Sequence, residues 1–176
     1  GFGSIGSSVG NVAAALGMKV LYHSATRKKN LGRDFRYADL DTLFKRSDFL
    51  SLHCPLNEET RQIVNKRTLS LMKPRAVLIN TARGGLVDET ALAEALDSGR
   101  LAAALLDVVA EEPIKESHVL LCAKNCLITP HVAWAAAETR QDVVYDAAVN
   151  VGAFYDGYPD NVVNGVPARE EYRKKI

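Results

Sequence analysis

Cysteine is scarce in this chain. Cys54, Cys122 and Cys126 are the only three, an odd number without the paired spacing of a disulfide framework. A reducing compartment is the simpler expectation, and the cytoplasm is the one assigned. Apolar runs long enough to cross a bilayer are missing, so no membrane partner is expected. Neither a signal peptide nor a basic targeting segment is visible. Charge of one sign is missing as well: the formal net charge is +1, which argues against an extended nucleic-acid surface. Internal repeats and low-complexity tracts are also absent, which excludes a solenoid or a linker-like chain.

What is there fits a folded α/β chain. The 176 residues suffice for one ordinary domain, and 47% of them are hydrophobic, enough for a sizeable core. Val9, Val12, Ala13 and Leu16 recur at helical spacing over residues 7–16, and Gly17 suits a helix stop. Strands are expected at 19–23, 48–52, 76–79, 102–106 and 126–129. Helices are expected at 39–44, 65–72, from Asp88 to Gly99, and at 136–154 with Val143, Val144, Ala147, Val151 and Phe154 on one stripe. Residues 27–38 read as basic and irregular. Several strands are apolar throughout, the pattern expected when helices cover both faces of a parallel sheet. The notable polar residues follow those strands, where open α/β sheets bind ligands.

Gly1-Phe-Gly3-Ser4-Ile5-Gly6 opens the chain directly before the first helix. This pattern suits a dinucleotide-binding turn. Gly1 makes the turn, Gly3 leaves room for a pyrophosphate, and Gly6 lets the helix pack closely. The N–H groups of the helix start then face the phosphates. A small-residue helix entry is the bland alternative. An NAD site carries an acidic residue roughly 20 positions on, whereas an NADP site uses cations and small polar groups. Here Ser24-Ala25-Thr26-Arg27-Lys28-Lys29 follows the strand without an acid. That favours NADP over NAD through charge-assisted bonds to a 2′-phosphate, against a solvated lysine-rich turn.

Asn80-Thr81-Ala82-Arg83-Gly84-Gly85-Leu86-Val87-Asp88 resembles the D-isomer-specific 2-hydroxyacid dehydrogenase family. So do His53-Cys54-Pro55-Leu56, Met72-Lys73-Pro74, Leu106-Asp107-Val108, Glu112-Pro113 and Thr129-Pro130-His131-Val132-Ala133-Trp134, in matching order from Gly1 to about Val166. Trp134 and Asn161-Val-Val-Asn164-Gly are similar to the glycerate dehydrogenase (hydroxypyruvate reductase) and glyoxylate reductase branch. The chain departs from the family at Ala25, where an arginine is frequent, at Ala103, where glycine is usual, and at Leu105, which is bulkier than the usual alanine.

The resemblance implies a Rossmann-like, doubly wound parallel sheet. Residues 1–150 would be a dinucleotide-binding domain lacking its first strand, and residues 151–176 a segment returning toward a substrate domain. It implies hydride transfer between NAD(P)H and a small 2-oxo acid such as hydroxypyruvate or glyoxylate, and a homodimer. The helix around 91–96 and the segment after His131 are the candidate dimer contacts. A cofactor-sensing scaffold or corepressor, or an inactive fragment, are the rival readings.

Three residues are expected to carry the chemistry. Histidine is the residue type suited to proton transfer at neutral pH, and by resemblance His131 protonates the substrate carbonyl. Glu112, immediately before Pro113, would hold the imidazole, with Glu111 as its competitor. Arg83 would grip the 2-oxo acid in a guanidinium fork, with a structural salt bridge as the alternative. Cofactor contacts are expected from Gly1, Gly3, Ser4, Ile5, Gly6, Ser24, Thr26, Arg27, Cys54, Pro55, Thr81, Ala82, Arg83, Asp107 and His131. Thr60 either closes that pocket or caps a helix, and a helix cap or an internal hydrogen-bond acceptor is the alternative reading of Asp107. Trp134 lines the substrate pocket or packs in a core or interface. His118, Cys122 and Cys126 have a spacing of four that suggests zinc, but no metal is expected, because the nicotinamide carries the hydride.

Overall fold

A computed structural model describes residues 1–29 and 31–163. The chain divides into two compact units, Gly1–Val132 and the part from Ala133 onward. In the first unit, helix α1 (Ser4–Ala15) leads to strands β1 (Val20–Tyr22) and β2 (Phe35–Tyr37). Then come α2 (Leu40–Arg46), β3 (Phe49–Leu52), α3 (Lys66–Leu71), β4 (Val77–Asn80) and a 3-10 turn at Gly84–Leu86. Helix α4 (Glu89–Asp97), β5 (Ala103–Leu106), the short α5 (Val119–Cys122) and β6 (Cys126–Ile128) complete it. The second unit contains α6 (Ala137–Tyr155).

Local chemistry sets the helix limits. The Asp39 carboxylate accepts the Thr42 N–H at 2.8 Å and starts α2. Asn65 and Thr68 form a reciprocal capping box at α3, and Asp88 accepts the Ala91 N–H at 3.1 Å to start α4. Gly17 and Gly99 take φ values of +83° and +71° just past α1 and α4, the left-handed geometry that glycine allows without steric cost.

Every strand pairing is parallel. The sheet is in two parts, β1–β2 and β3–β4–β5–β6. The register aligns Leu52, Asn80 and Leu106 across β3, β4 and β5, and Leu106 with Ile128 of β6. The segments that leave these strands therefore emerge side by side at one sheet edge. One core supports that edge: Leu50, Leu52, Leu78, Ala104 and Leu106 from the sheet, with Leu69, Leu92, Leu96 and Leu120 from α3, α4 and α5. Each fully buried leucine contributes roughly 1.5–3 kcal/mol through removal from water.

One expectation is corrected. Residues 27–38 are not irregular throughout, because Phe35–Tyr37 forms β2 by pairing with β1. Its aromatic–basic–aromatic triplet is too short to stand out from the basic residues around it. On the sheet, Leu50, Leu52 and Leu106 are buried, while Phe49, Leu105 and Leu127 are exposed in this chain. Ala91, Leu92, Ala95 and Leu96 of α4 lie in the core. In α6, Val143, Val144, Val151 and Phe154 are exposed. Within its own unit Asn161 Nδ2 donates to Asn150 Oδ1 at 2.9 Å. Trp134 also belongs to this unit and is exposed. Asn164 and the rest of the segment to residue 176 lie outside the described residues.

Candidate active site

The C-terminal sheet edge gathers the residues singled out above. After β4, buried Asn80 holds the loop that follows: its Oδ1 accepts the Ala82 N–H at 3.0 Å, and its Nδ2 donates to the Arg83 carbonyl at 2.9 Å. Thr81 and Arg83 are exposed on this loop and Ala82 is half-buried. The Arg83 guanidinium donates to the Ala82 carbonyl and, among the described residues, makes no ion pair. The structural salt bridge considered for it is therefore not formed. Asn80 went unassigned as a functional residue, although an amide closing a strand before Arg-Gly-Gly was the available signal.

Asp107 follows β5 and is 5% exposed. Its Oδ1 accepts the Thr129 hydroxyl and, at 2.9 Å, the Val132 N–H. Its carbonyl also accepts the His131 N–H at 2.9 Å. The internal-acceptor reading of Asp107 is thus realised: this buried carboxylate ties the end of β5 to the turn after β6. That turn holds His131 at φ +54°, a left-handed conformation uncommon for a non-glycine residue. Such backbone persists when its surroundings over-determine it, and the bonds from Asp107 do so here.

His131 Nδ1 lies 2.7 Å from Glu112 Oε2, and Glu112 Oε1 accepts the Val109 N–H at 3.2 Å. The bond with His131 holds the Glu112 carboxyl below its ordinary pKa, with the Val109 N–H helping and nearby Asp107 opposing. Val108 and Val109 are buried and anchor this loop to the core. Glu111 pairs instead with Lys115 at 2.6 Å, both largely exposed, an arrangement of little energetic weight. Packing thus selects Glu112 over Glu111.

The glycine turn lies beside the end of β3. A Cβ on Gly1 would fall 2.4 Å from the His53 carbonyl carbon, and one on Gly6 would fall 2.4 Å from the Gly1 oxygen. Only glycine permits this approach. Gly3, by contrast, has nothing within 4 Å of its Cβ position, and no side chain caps the start of α1. Ser4 and Ile5 are exposed there. Open space over uncapped helix N–H groups fits a dinucleotide pyrophosphate. His53 Nε2 bonds Ser51 Oγ at 2.8 Å, and burial pushes the His53 imidazole below its ordinary pKa.

Past β1, Ser24 Oγ donates to the Thr26 carbonyl at 2.6 Å, and Arg27 lies over the Tyr37 ring with its Cζ 5.3 Å from the centroid. Thr26 and Arg27 are exposed, a geometry that leaves them accessible to an anion. Cys54 is half-buried and Pro55 exposed beyond β3. Thr60 is no helix cap: its hydroxyl donates to the Pro55 carbonyl at 2.7 Å and accepts the Asn57 N–H at 2.9 Å, closing a turn. His118 faces Glu89, its Nε2 3.1 Å from Oε2. Thr129, Glu89 and His118 have structural partners at this edge that sequence reasoning did not assign.

Residues 1–133 match the family model described as "D-isomer specific 2-hydroxyacid dehydrogenase, NAD binding domain". The chain is 48% identical over 165 residues to a hydroxypyruvate reductase of Blautia hydrogenotrophica, covering 93% of this chain and 51% of the relative. It is 44% identical over 167 residues to a glyoxylate reductase of Aeropyrum pernix, covering 93% and 50%. Among solved structures, an NADPH-dependent glyoxylate/hydroxypyruvate reductase from Sinorhizobium meliloti in complex with NADP and malonate superposes with a TM-score of 0.87. That match has 35% identity and covers 96% of this chain and 53% of the other. The chain spans about half the length of the curated relatives it matches.

Proposed function

The chain belongs to the D-isomer specific 2-hydroxyacid dehydrogenase family, and from this we propose that the protein carrying it reduces a small 2-oxo acid to the D-2-hydroxy acid. Hydroxypyruvate and glyoxylate are the substrates in view, supported by the similarity to reductases of both. The observation that carries the reading is the Glu112–His131 pair at the end of parallel strands, beside the Arg83 loop. A reduced nicotinamide dinucleotide, held by its pyrophosphate at the glycine turn, would supply the hydride. His131 donates the proton to the carbonyl oxygen from Nε2, the nitrogen opposite the one facing Glu112. Glu112 fixes the ring and favours the imidazolium from which that proton comes. Arg83 binds the substrate carboxylate and stabilises charge developing on the oxygen.

Ser24, Thr26 and Arg27 support NADP over NAD, since hydroxyls and a cation suit a 2′-phosphate and a carboxylate is missing from this stretch. A homodimer is the proposed assembly. The test is turnover of hydroxypyruvate and glyoxylate by the full-length protein with NADPH and with NADH. Reduction of either acid is expected, faster with NADPH. No turnover of any short 2-oxo acid with either cofactor sinks the proposal, and cofactor-driven assembly without turnover would point to a sensing scaffold instead.

A further inference from the structure

We propose that Glu89 is a positioning residue for the Glu112–His131 pair. It acts through the backbone of the loop that carries Glu112. Glu89 stands in the first turn of α4, where an acid ordinarily serves the helix dipole from an exposed position. Here its side chain is only 16% exposed and both oxygens are engaged. Oε1 accepts the Ala110 N–H at 2.8 Å, and Oε2 faces His118 Nε2 at 3.1 Å. His118 Nδ1 accepts the Leu120 N–H at 3.4 Å, so Nε2 carries the ring hydrogen and donates to Glu89. The carboxylate is thereby locked in place from the side of α5 and aimed at one backbone amide.

That amide belongs to the Val109–Ala110 peptide, next along the chain to the peptide on which Glu112 depends. Val109 N–H, one residue earlier, donates to Glu112 Oε1, while Glu112 Oε2 meets His131. The Val109–Ala110 peptide is pressed from a second direction. A Cβ on Gly84 would fall 1.9 Å from the Val109 carbonyl carbon and 2.3 Å from the Ala110 nitrogen. Residues 84–89 thus grip the Val109–Ala110 peptide twice, by contact at Gly84 and by hydrogen bond at Glu89. They follow directly after Arg83, so one short segment presents the substrate arginine and steadies the carboxylate partner of the histidine. Freed from Glu89, the loop could rotate the Val109 N–H away and leave Glu112 without its orienting bond.

This inference rests on the proposed reductase reading, and the experiment separates the two. In the full-length protein, hydrogen exchange at Ala110 is compared for the unmodified chain, Glu89→Ala and Glu89→Gln. Exchange at Ala110 is expected to rise at least about tenfold in Glu89→Ala and to stay near the original in Glu89→Gln, which keeps an acceptor. In steady-state kinetics Glu89→Ala is expected to lower kcat about tenfold with the cofactor KM unchanged. Placed on a Glu112→Gln background it should cost under about twofold more, because residues acting as one unit are not additive. Unchanged Ala110 exchange in Glu89→Ala, or a kcat loss that multiplies in full on Glu112→Gln, overturns the proposal. If the unmodified protein turns over no 2-oxo acid, the reductase reading fails, while the exchange measurement still decides the role of Glu89.

Discussion

Glu112 Oε2 and His131 Nδ1 meet at 2.7 Å although they come from different loops, one after β5 and one after β6. The imidazole is held through one nitrogen only in this contact, so the carboxylate sets the ring plane and the direction of the other nitrogen. Buried Asp107 ties the two loops together beneath the pair.

Replacing His131 with glutamine keeps a polar side chain and removes the proton donor. Turnover of the 2-oxo acid should fall about 10²–10⁴-fold. NADPH affinity, followed by nucleotide fluorescence, should change far less. Equal loss of both would assign His131 to binding rather than proton transfer.

The Glu112 carboxyl titrates below its ordinary value of 4.5 in the folded chain, chiefly because of the His131 bond. A depressed folded pKa makes the contribution of this group complete above the unfolded value, with loss as pH falls through the folded one. Stability of the unmodified protein should therefore exceed that of Glu112→Gln above pH 4.5, with the gap closing in more acidic buffer. Denaturant midpoints measured across pH 3–7 (about the window set by linkage) check this, and a gap that widens on acidification would contradict it.

Arg83→Lys preserves the charge and removes the planar fork. The KM for hydroxypyruvate should rise about tenfold or more, with a smaller change for NADPH, since a bidentate grip on a carboxylate is lost. An unchanged KM would mean that Arg83 does not hold the substrate.

Thr129→Val is nearly isosteric but deprives the buried Asp107 carboxylate of a hydroxyl donor. A destabilisation of about 1–3 kcal/mol is expected from leaving that acceptor short of a partner. Urea unfolding measures it.

Burial pushes the Cys126 thiol up to about 11, whereas Cys122 is exposed. Alkylation at pH 8 (about three units below that value, so few thiolates) should mark Cys122 and spare Cys126. Peptide mapping after iodoacetamide treatment shows which occurred, and rapid modification of Cys126 in the folded protein would refute its burial.

The helices and most strands were legible because their signals are local. Asp39, Asn65 and Asp88 mark helix starts, and each accepts the backbone bond its position suggests. Phe35–Tyr37 was not legible, since three residues are too short a run to carry a strand signal apart from their pairing with β1. An apolar strand records that its residues tolerate burial, without recording what covers them.

The order of motifs along the chain was enough to place Arg83, Glu112 and His131 in one kind of chemistry, because residue type and spacing belong to the covalent chain. Tertiary structure alone decided that Glu111 turns to Lys115 while Glu112 reaches His131. It also decided that Asp107 is spent on Thr129 and Val132, and that Glu89 points inward. The physical reason is distance along the chain. Helix periodicity and caps act over three or four residues, whereas these contacts join loops that only the parallel register of β4, β5 and β6 brings together.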